Sequence, residues 1–222
     1  EAIEKEYLYR AHKLGLTDKA KSYHEKYRQM SLKQNLVINT AKGALEIPMR
    51  MPCDGEYVII DACNAIMGME TFADISAYDF ENIDLSNDEK LSKINEFAFH
   101  IGAELANIFG NDFADLTYTG KGLHFYKYCF TIGHRDAILG KVCFGGQNGT
   151  VLVMISGTGC AYADMYWEYK YYDFLTNEAK RAKLTRIDMA HDDFNGAYSG
   201  ADIANLADSQ GMFALTNKIP SV

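Results

Sequence analysis

Apolar residues recur along this chain at spacings that predict both helices and strands. The clearest helix is predicted over Leu91–Phe109, where apolar side chains return every three or four positions until Gly110-Asn111 ends the pattern. A continuous apolar run at 57–67 follows a cluster of proline and glycine at 48–55, and this combination predicts a buried strand after a boundary.

Short aromatic and β-branched runs separated by glycines follow the long helix. The runs at 122–132, 141–144 and 150–155 predict an antiparallel meander in which Gly145-Gly146 and 157–159 are hairpin turns. A second helix is predicted from about residue 162 to 182 and a short third one over 200–208. This order of elements predicts an α+β fold: an antiparallel β-sheet with helices packed on one face.

One further strand, predicted within 183–194, carries the chain's most informative ionisable residues. Asp188 lies between two apolar residues, where a carboxylate is costly to bury unless it is paired or bound to a metal. Asp188 and Asp192 share one face of such a strand, so these two, completed by Asp61, are the predicted ligands of Mg²⁺ or Mn²⁺. The alternative is that Asp188 pairs with Arg186 or a tyrosine and that Asp192 belongs to a solvated strand end.

The sequence also contains a faint internal repeat. Residues 59–63 (IIDAC) align with residues 186–190 (RIDMA), and each segment has an aspartate at its third position. Two β-α-β-β-like repeats would place the two aspartate strands side by side at the centre of one sheet. Coincidence is the alternative, because a hydrophobic pair followed by aspartate is a common pattern.

Charge is unevenly distributed along the 222 residues, whose net charge is −8. Residues 1–50 contain 10 Lys/Arg against 6 Asp/Glu, whereas residues 51–120 contain 2 against 14. We therefore expect a basic helical N-terminal segment over 1–50 and a separate domain over 51–222. The negative total disfavours a nucleic-acid partner, but binding responds to the local field, so a basic face could still hold phosphates.

Several other chemistries are disfavoured by composition and spacing. The five cysteines are widely spaced without a CxxC pair, which predicts reduced thiols in a cytoplasmic protein. No apolar run approaches the roughly 18 residues of a membrane span. The glycine clusters lack phosphate-loop spacing, and no nucleophile elbow is present. Eight tyrosines offer stacking surfaces for bases, with ordinary core positions as the alternative; they are Tyr118, Tyr126, Tyr128, Tyr162, Tyr166, Tyr169, Tyr171 and Tyr172.

Residues 185–196, with the sequence TRIDMAHDDFNG, resemble the hallmark of the replication initiation factor family. That family comprises the rolling-circle initiators of filamentous phages and small plasmids. The runs at 142–146 and 151–160, then Trp167-Glu168 and Phe174-Leu175, are similar to the family as well. The resemblance covers roughly residues 56–220, is most specific over 142–196, and does not explain residues 1–50.

This resemblance implies an enzyme that nicks and rejoins origin DNA, single-stranded or cruciform, through a tyrosine nucleophile and a divalent metal. Asp188 would match the family's acidic metal-site residue, and Arg186 would steady the phosphate or pair with Asp188. A homodimer and contacts with host replication proteins are compatible with it. The family's nucleophile is expected beyond Val222, so 51–222 would be an incomplete catalytic domain, and Tyr198 is not assigned. The rival interpretations are a non-catalytic DNA-binding protein of the same fold and a generic α+β interaction domain.

Overall fold

The computed structural model describes residues 31–41, 43–53, 58–78, 80, 85–133, 137–191 and 200–209. The strands in these ranges are β1 Ser31–Thr40, β2 Gly43–Pro52, β3 Ile59–Gly68, β4 Leu116–Tyr118, β5 Tyr128–Ile132, β6 Gly140–Phe144, β7 Thr150–Ile155 and β8 Lys183–Ala190. The α-helices there are α1 Asn87–Phe109, α2 Gly157–Tyr162, α3 Trp167–Asp173 and α4 Gly200–Ser209. A π-helical turn, Phe174–Glu178, extends α3, and short 3-10 turns occur at Met69–Thr71, Ile75–Ala77 and Asn111–Phe113.

Six of the strands form one antiparallel sheet in the order β4-β5-β6-β7-β3-β8. Strands β5 to β7 form the predicted meander, which β4 extends by a strand that was not predicted, and β3 lies between β7 and β8. The α+β prediction is therefore confirmed. The two aspartate strands β3 and β8 are neighbours, as the repeat required, but they lie at one side of the sheet and not at its centre. The second copy of the repeat would continue into residues 192–199, which are outside the described ranges.

Helix α1 is the element that covers one face of the sheet. Ser86 caps its N-terminus and Glu89 closes a capping box, while Gly110, at φ +109°, ends it. The predicted helix is thus confirmed and begins four residues earlier than expected. Its buried stripe centres on Phe97, which is fully buried and makes ring contacts with the side chains of Tyr78, Phe80, Phe144 and Phe72.

The glycines at 157–159 begin a helix, so their prediction as a hairpin turn is wrong. Ser156 caps α2 through the amide of Gly159. A Cβ on Gly159 would lie 2.1 Å from the carbonyl oxygen of Leu139. Only glycine therefore allows α2 to lie this close to Leu139, which directly precedes β6. The Gly145-Gly146 prediction is confirmed, because the β6–β7 turn has five consecutive residues, 145–149, with positive φ.

Strands β1 and β2 form a separate hairpin where a helical segment was expected. The β-branched run Val37-Ile38 favours strand, and Gly43, at φ +122°, allows the tight turn. The helical prediction for 1–50 is therefore wrong for 31–40 and 43–50, while residues 1–30 are outside the described ranges.

A buried polar cluster fixes the base of this hairpin. The Arg50 guanidinium donates hydrogen bonds to the carbonyl oxygens of Cys160, Ala163 and Asp164. The Ser31 hydroxyl donates to the Glu168 carboxylate. Burial is the main cause of two pKa changes: it lowers the pKa of Arg50 and raises the pKa of Glu168.

The chain divides into two units between Ala190 and His191, not between residues 50 and 51. The β1–β2 hairpin and the sheet belong to the first unit. Helix α4 belongs to the second and matches the helix predicted over 200–208. Among the helices described, none is long and apolar enough to cross a membrane.

Candidate nucleic-acid interface

The face of the sheet opposite α1 carries a polar row from one side of the sheet to the other. Paired residues of neighbouring strands share a face, so the strand register defines this row. It runs through Thr117, Thr131, Lys141, Met154, Asn64 and Arg186. We call the face that carries this row the open face.

A second row on the open face is apolar at one end and cationic at the other. It runs through Cys129, Cys143, Leu152, Ile66 and Lys183. The segment before β5 folds over the apolar end, where Tyr126 and Leu123 pack on the buried thiols. Cys129, Cys143 and Leu152 are buried, so this end of the face is closed, whereas Lys183 at the other end is exposed. The burial raises the pKa of the Cys143 thiol.

Charge separates the open face from the covered face. At the paired strand positions that the structure describes, the open face presents Lys141, Lys183 and Arg186 against one carboxylate, that of Asp188, which pairs with Ala62 in the register. Helix α1, on the other side, carries four carboxylates and two lysines; they are Asp88, Glu89, Glu96, Glu104, Lys90 and Lys93. The described positions of the open face therefore carry more positive than negative side chains, whereas the chain as a whole is negative.

Asp188 is not buried, contrary to its predicted placement. It lies on β8, which pairs with one strand only among the described residues, and its side chain is 36% exposed. Arg186 pairs with it through both oxygens, with Nε–Oδ1 at 2.8 Å and Nη2–Oδ2 at 2.5 Å. This hydrogen bonding lowers the pKa of Asp188. The arrangement is the predicted alternative, a carboxylate paired with Arg186.

Asp61 contacts a different element. It is the extra residue of a bulge in β3, between the register positions of Ile60 and Ala62. Its carboxylate faces the start of α2, since a Cβ on Gly157 would lie 3.0 Å from Asp61 Oδ1. Asp61 and Asp188 therefore lie on adjacent strands, but the Asp61 carboxylate faces Gly157 and the Asp188 carboxylate pairs with Arg186.

The described residues do not by themselves make up the predicted metal site. Both oxygens of Asp188 accept hydrogen bonds from the Arg186 guanidinium, so the carboxylate is already paired with a positive charge. No group of three His, Cys, Asp or Glu side chains placed to hold a metal occurs in the described part of the chain. Asp192, the remaining predicted ligand, lies outside that part.

The cationic residues of the open face were not identified as candidate site residues by the sequence patterns. Lys141 and Lys183 begin or nearly begin short strands, and only the register shows that they share a face. Of the tyrosines, Tyr118 and Tyr128 pack with core aromatic rings and Tyr171 is buried. Phe125 has the most exposed aromatic ring described beside the open face. It lies within residues 122–132, which the sequence predicted as a strand.

The fold and this face together define an α+β domain with one covered face and one open, cationic face. No family model matches the chain, and no curated protein matches it. Among solved structures, the rolling circle replication initiator protein from Geobacillus stearothermophilus is similar, with 17% sequence identity and a TM-score of 0.40. The match covers 69% of this chain and 50% of that one, so this chain spans half the length of that protein.

Proposed function

We propose that this chain is a DNA-binding replication initiation protein that receives a DNA strand on the open face of its sheet. The observation that carries the proposal is the pair Lys141 and Lys183, exposed on the same face of an otherwise acidic chain. Neither lysine has an ion-pair partner among the described residues. The resemblance of residues 185–196 to the replication initiation factors supports the choice of class.

The chemistry of the open face suits a phosphate backbone. Lysine supplies a strongly hydrated point charge for phosphate contacts, and each contact releases condensed counterions. In the row that contains Lys141, the Asn64 amide lies between Lys141 and Arg186, and the Thr131 hydroxyl lies on the other side of Lys141, so both add hydrogen-bonding groups beside the charges. Polar side chains of these types are common phosphate and sugar ligands.

The proposal is tested by fluorescence anisotropy with a labelled single-stranded oligonucleotide and a duplex, over a series of salt concentrations. The double variant Lys141→Ala/Lys183→Ala removes both charges from the open face. The matched control, Lys90→Ala/Lys93→Ala, removes two lysines from α1 on the other side. For the single strand, we expect the first variant to reduce the salt slope by about 1.4, which is about 0.7 for each lost phosphate contact.

The control variant should keep the wild-type slope. Equal losses in both variants would mean that net charge and not the open face governs binding. A wild-type chain that binds neither oligonucleotide at low salt would remove the proposal altogether.

Origin nicking is a second candidate, favoured by the position of Asp61 and Asp188 on adjacent strands. In this candidate Asp188 and Arg186 act at the scissile phosphate and Asp192 completes the acidic set. Because the described carboxylates do not fit a cation, we derive no metal step from them. The test is conversion of supercoiled DNA carrying the sequence that flanks the gene, with Mn²⁺ or with chelator, by the full-length protein that carries the expected tyrosine nucleophile.

If nicking is a function, open circles form with Mn²⁺ and disappear in Asp188→Ala. If the chain only binds DNA, binding persists in chelator and Asp188→Ala binds at least as well, because a carboxylate near phosphates has been removed. Nicking that survives Asp188→Ala would exclude Asp188 from the mechanism.

A further inference from the structure

A two-residue turn beside the open face holds an aromatic ring in an unusual way. Leu123 and Tyr126 close the turn with two backbone hydrogen bonds, at N–O distances of 3.2 and 2.9 Å. The residues between them, His124 and Phe125, have φ values of 50° and 67°. This is the primed turn of a tight hairpin, and Asn and Gly are the residues that usually occupy it.

Turn chemistry does not explain a phenylalanine at this position. Positive φ is rare for bulky residues, because the left-handed conformation brings Cβ against the following carbonyl group. The neighbouring β6–β7 turn uses Gln147, Asn148 and glycines at its left-handed positions. Phe125 therefore occupies a position where a smaller residue would be less strained.

Packing does not explain the ring either. Phe125 is 93% exposed, and it makes no ring contact with the aromatic side chains of the described residues. Core aromatics of this chain such as Phe97 are fully buried and surrounded by other rings. A strained backbone that carries an exposed aromatic ring indicates a role in contact with another molecule.

The turn is fixed to the open face and does not hang free of it. The Tyr126 hydroxyl and the Thr150 hydroxyl are 2.8 Å apart. Tyr126 and Leu123 also pack on Cys129, Cys143 and Leu152, in the row that continues to Lys183. The side chains on either side of His124-Phe125 thus anchor the ring at the rim of the cationic face.

We propose that Phe125 is a stacking platform for an unpaired nucleobase of a single DNA strand whose phosphates lie along the open face. This inference rests on the proposed function and adds to it a preference for single strands. Every base offers a π-face, so stacking on one aromatic ring tolerates any sequence. A ring held by a two-residue turn loses little freedom on binding, which favours affinity. Paired bases in a duplex do not expose this face.

The experiment compares a short thymidine oligonucleotide with an oligonucleotide of equal length and charge that lacks bases. The variant Phe125→Gly removes the ring and relaxes the turn, whereas Phe125→Trp keeps an aromatic ring. Two controls are matched to these changes. Gln147→Gly relaxes a left-handed position of the adjacent turn, and Phe99→Ala removes an exposed ring from α1.

We expect Phe125→Gly to bind the thymidine strand about tenfold more weakly than the wild type does. Its affinity for the abasic strand should equal that of the wild type. Phe125→Trp should keep the affinity and show quenching of the new indole on binding. Both controls should bind like the wild type. The unfolding temperature of Phe125→Gly should be equal to or above that of the wild type, since glycine suits the conformation.

Failure of this inference and failure of the proposed function give different results. If wild type binds the strand and Phe125→Gly binds it equally well, the stacking role is overturned and DNA binding stands. If Phe125→Gly weakens both strands equally, the ring does not read a base and stacking is again overturned. If the wild type binds neither strand, the proposed DNA-binding function fails. Contact with a protein partner would then be the remaining explanation for the exposed Phe125 ring.

Discussion

The two faces of the six-stranded sheet are built from the same alternating strands but have opposite chemistry. The covered face buries rings such as Phe130 and Phe144, which stack with centroids 5.5 Å apart, beneath α1. The open face presents Lys141, Asn64 and Lys183 from alternate positions of the same strands. The difference indicates that one face maintains the fold and the other is available to a partner. Substitutions on the first should therefore change stability, and substitutions on the second should change binding.

The largest effect is expected from the centre of the covered face. Phe97→Ala would leave a cavity among several rings and should lower the free energy of unfolding by about 3–5 kcal/mol. The matched control is Phe99→Ala on the same helix, whose ring is 71% exposed and should contribute about 0.5 kcal/mol or less. Urea denaturation measures both. Similar losses for the two variants would contradict the described orientation of α1.

The second prediction concerns the buried polar cluster at the hairpin base, which is an exception to the apolar covered side. Arg50→Met would leave the carbonyl oxygens of Cys160, Ala163 and Asp164 without their donor. We expect a loss of about 3 kcal/mol and faster amide exchange throughout β1 and β2. Gln34→Met is the control, since Gln34 is also on the hairpin but is exposed. Slow exchange in Arg50→Met would show that the hairpin does not depend on this anchor.

The covered face was predictable because its signals are local. The apolar period of α1, the residues that end it, and the glycine turns of the meander all act within a few positions of each other. The helix start at Gly157 was mispredicted for the opposite reason. Gly159 is required by its close approach to Leu139, and Gly157 lies against Asp61; both partners are remote in the chain, and nothing in the local sequence distinguishes these glycines from turn glycines.

The open face was harder to predict, because it depends on which strands are neighbours. Ile187 and Met189 made Asp188 look like a buried carboxylate, yet they are 44% and 65% exposed on β8. A strand that pairs on one side only can carry apolar residues without burying them. Likewise, Lys141, Asn64 and Lys183 meet only through the register of β6, β7, β3 and β8, and that register is not encoded in any single segment.

A third prediction uses the open-face ion pair to sharpen the distinction between the faces. Asp188→Asn should leave the unfolding temperature unchanged, because the pair is solvent-exposed and such pairs contribute little. It should release Arg186 for a phosphate and make the salt slope of single-strand binding steeper by about 0.7. Asp112→Asn, an exposed aspartate after α1, is the control and should alter neither quantity. A large loss of stability in Asp188→Asn would assign the pair to the fold and not to binding.

The smallest effect is expected at the rim of the sheet, where Arg181 connects three segments. Arg181 pairs with Glu70 at 2.7 Å and donates to the carbonyl oxygens of Asn148 and Gly149. Hydrogen bonding to this guanidinium holds the pKa of Glu70 at about 2, below its ordinary value of 4.5. A lowered pKa means that the contribution to stability is complete above about pH 4.5 and is lost as the pH falls towards 2.

Glu70→Gln removes this titration and keeps the side-chain size, so it isolates the pair from the other carboxylates. The unfolding temperature of the wild type should exceed that of the variant by less than about 2 °C at pH 6, because the pair is largely exposed. The two should converge near pH 2. A difference that persists unchanged at that pH would mean that the Glu70 carboxylate does not titrate with Arg181, and that the carbonyl contacts of Arg181 alone hold this rim.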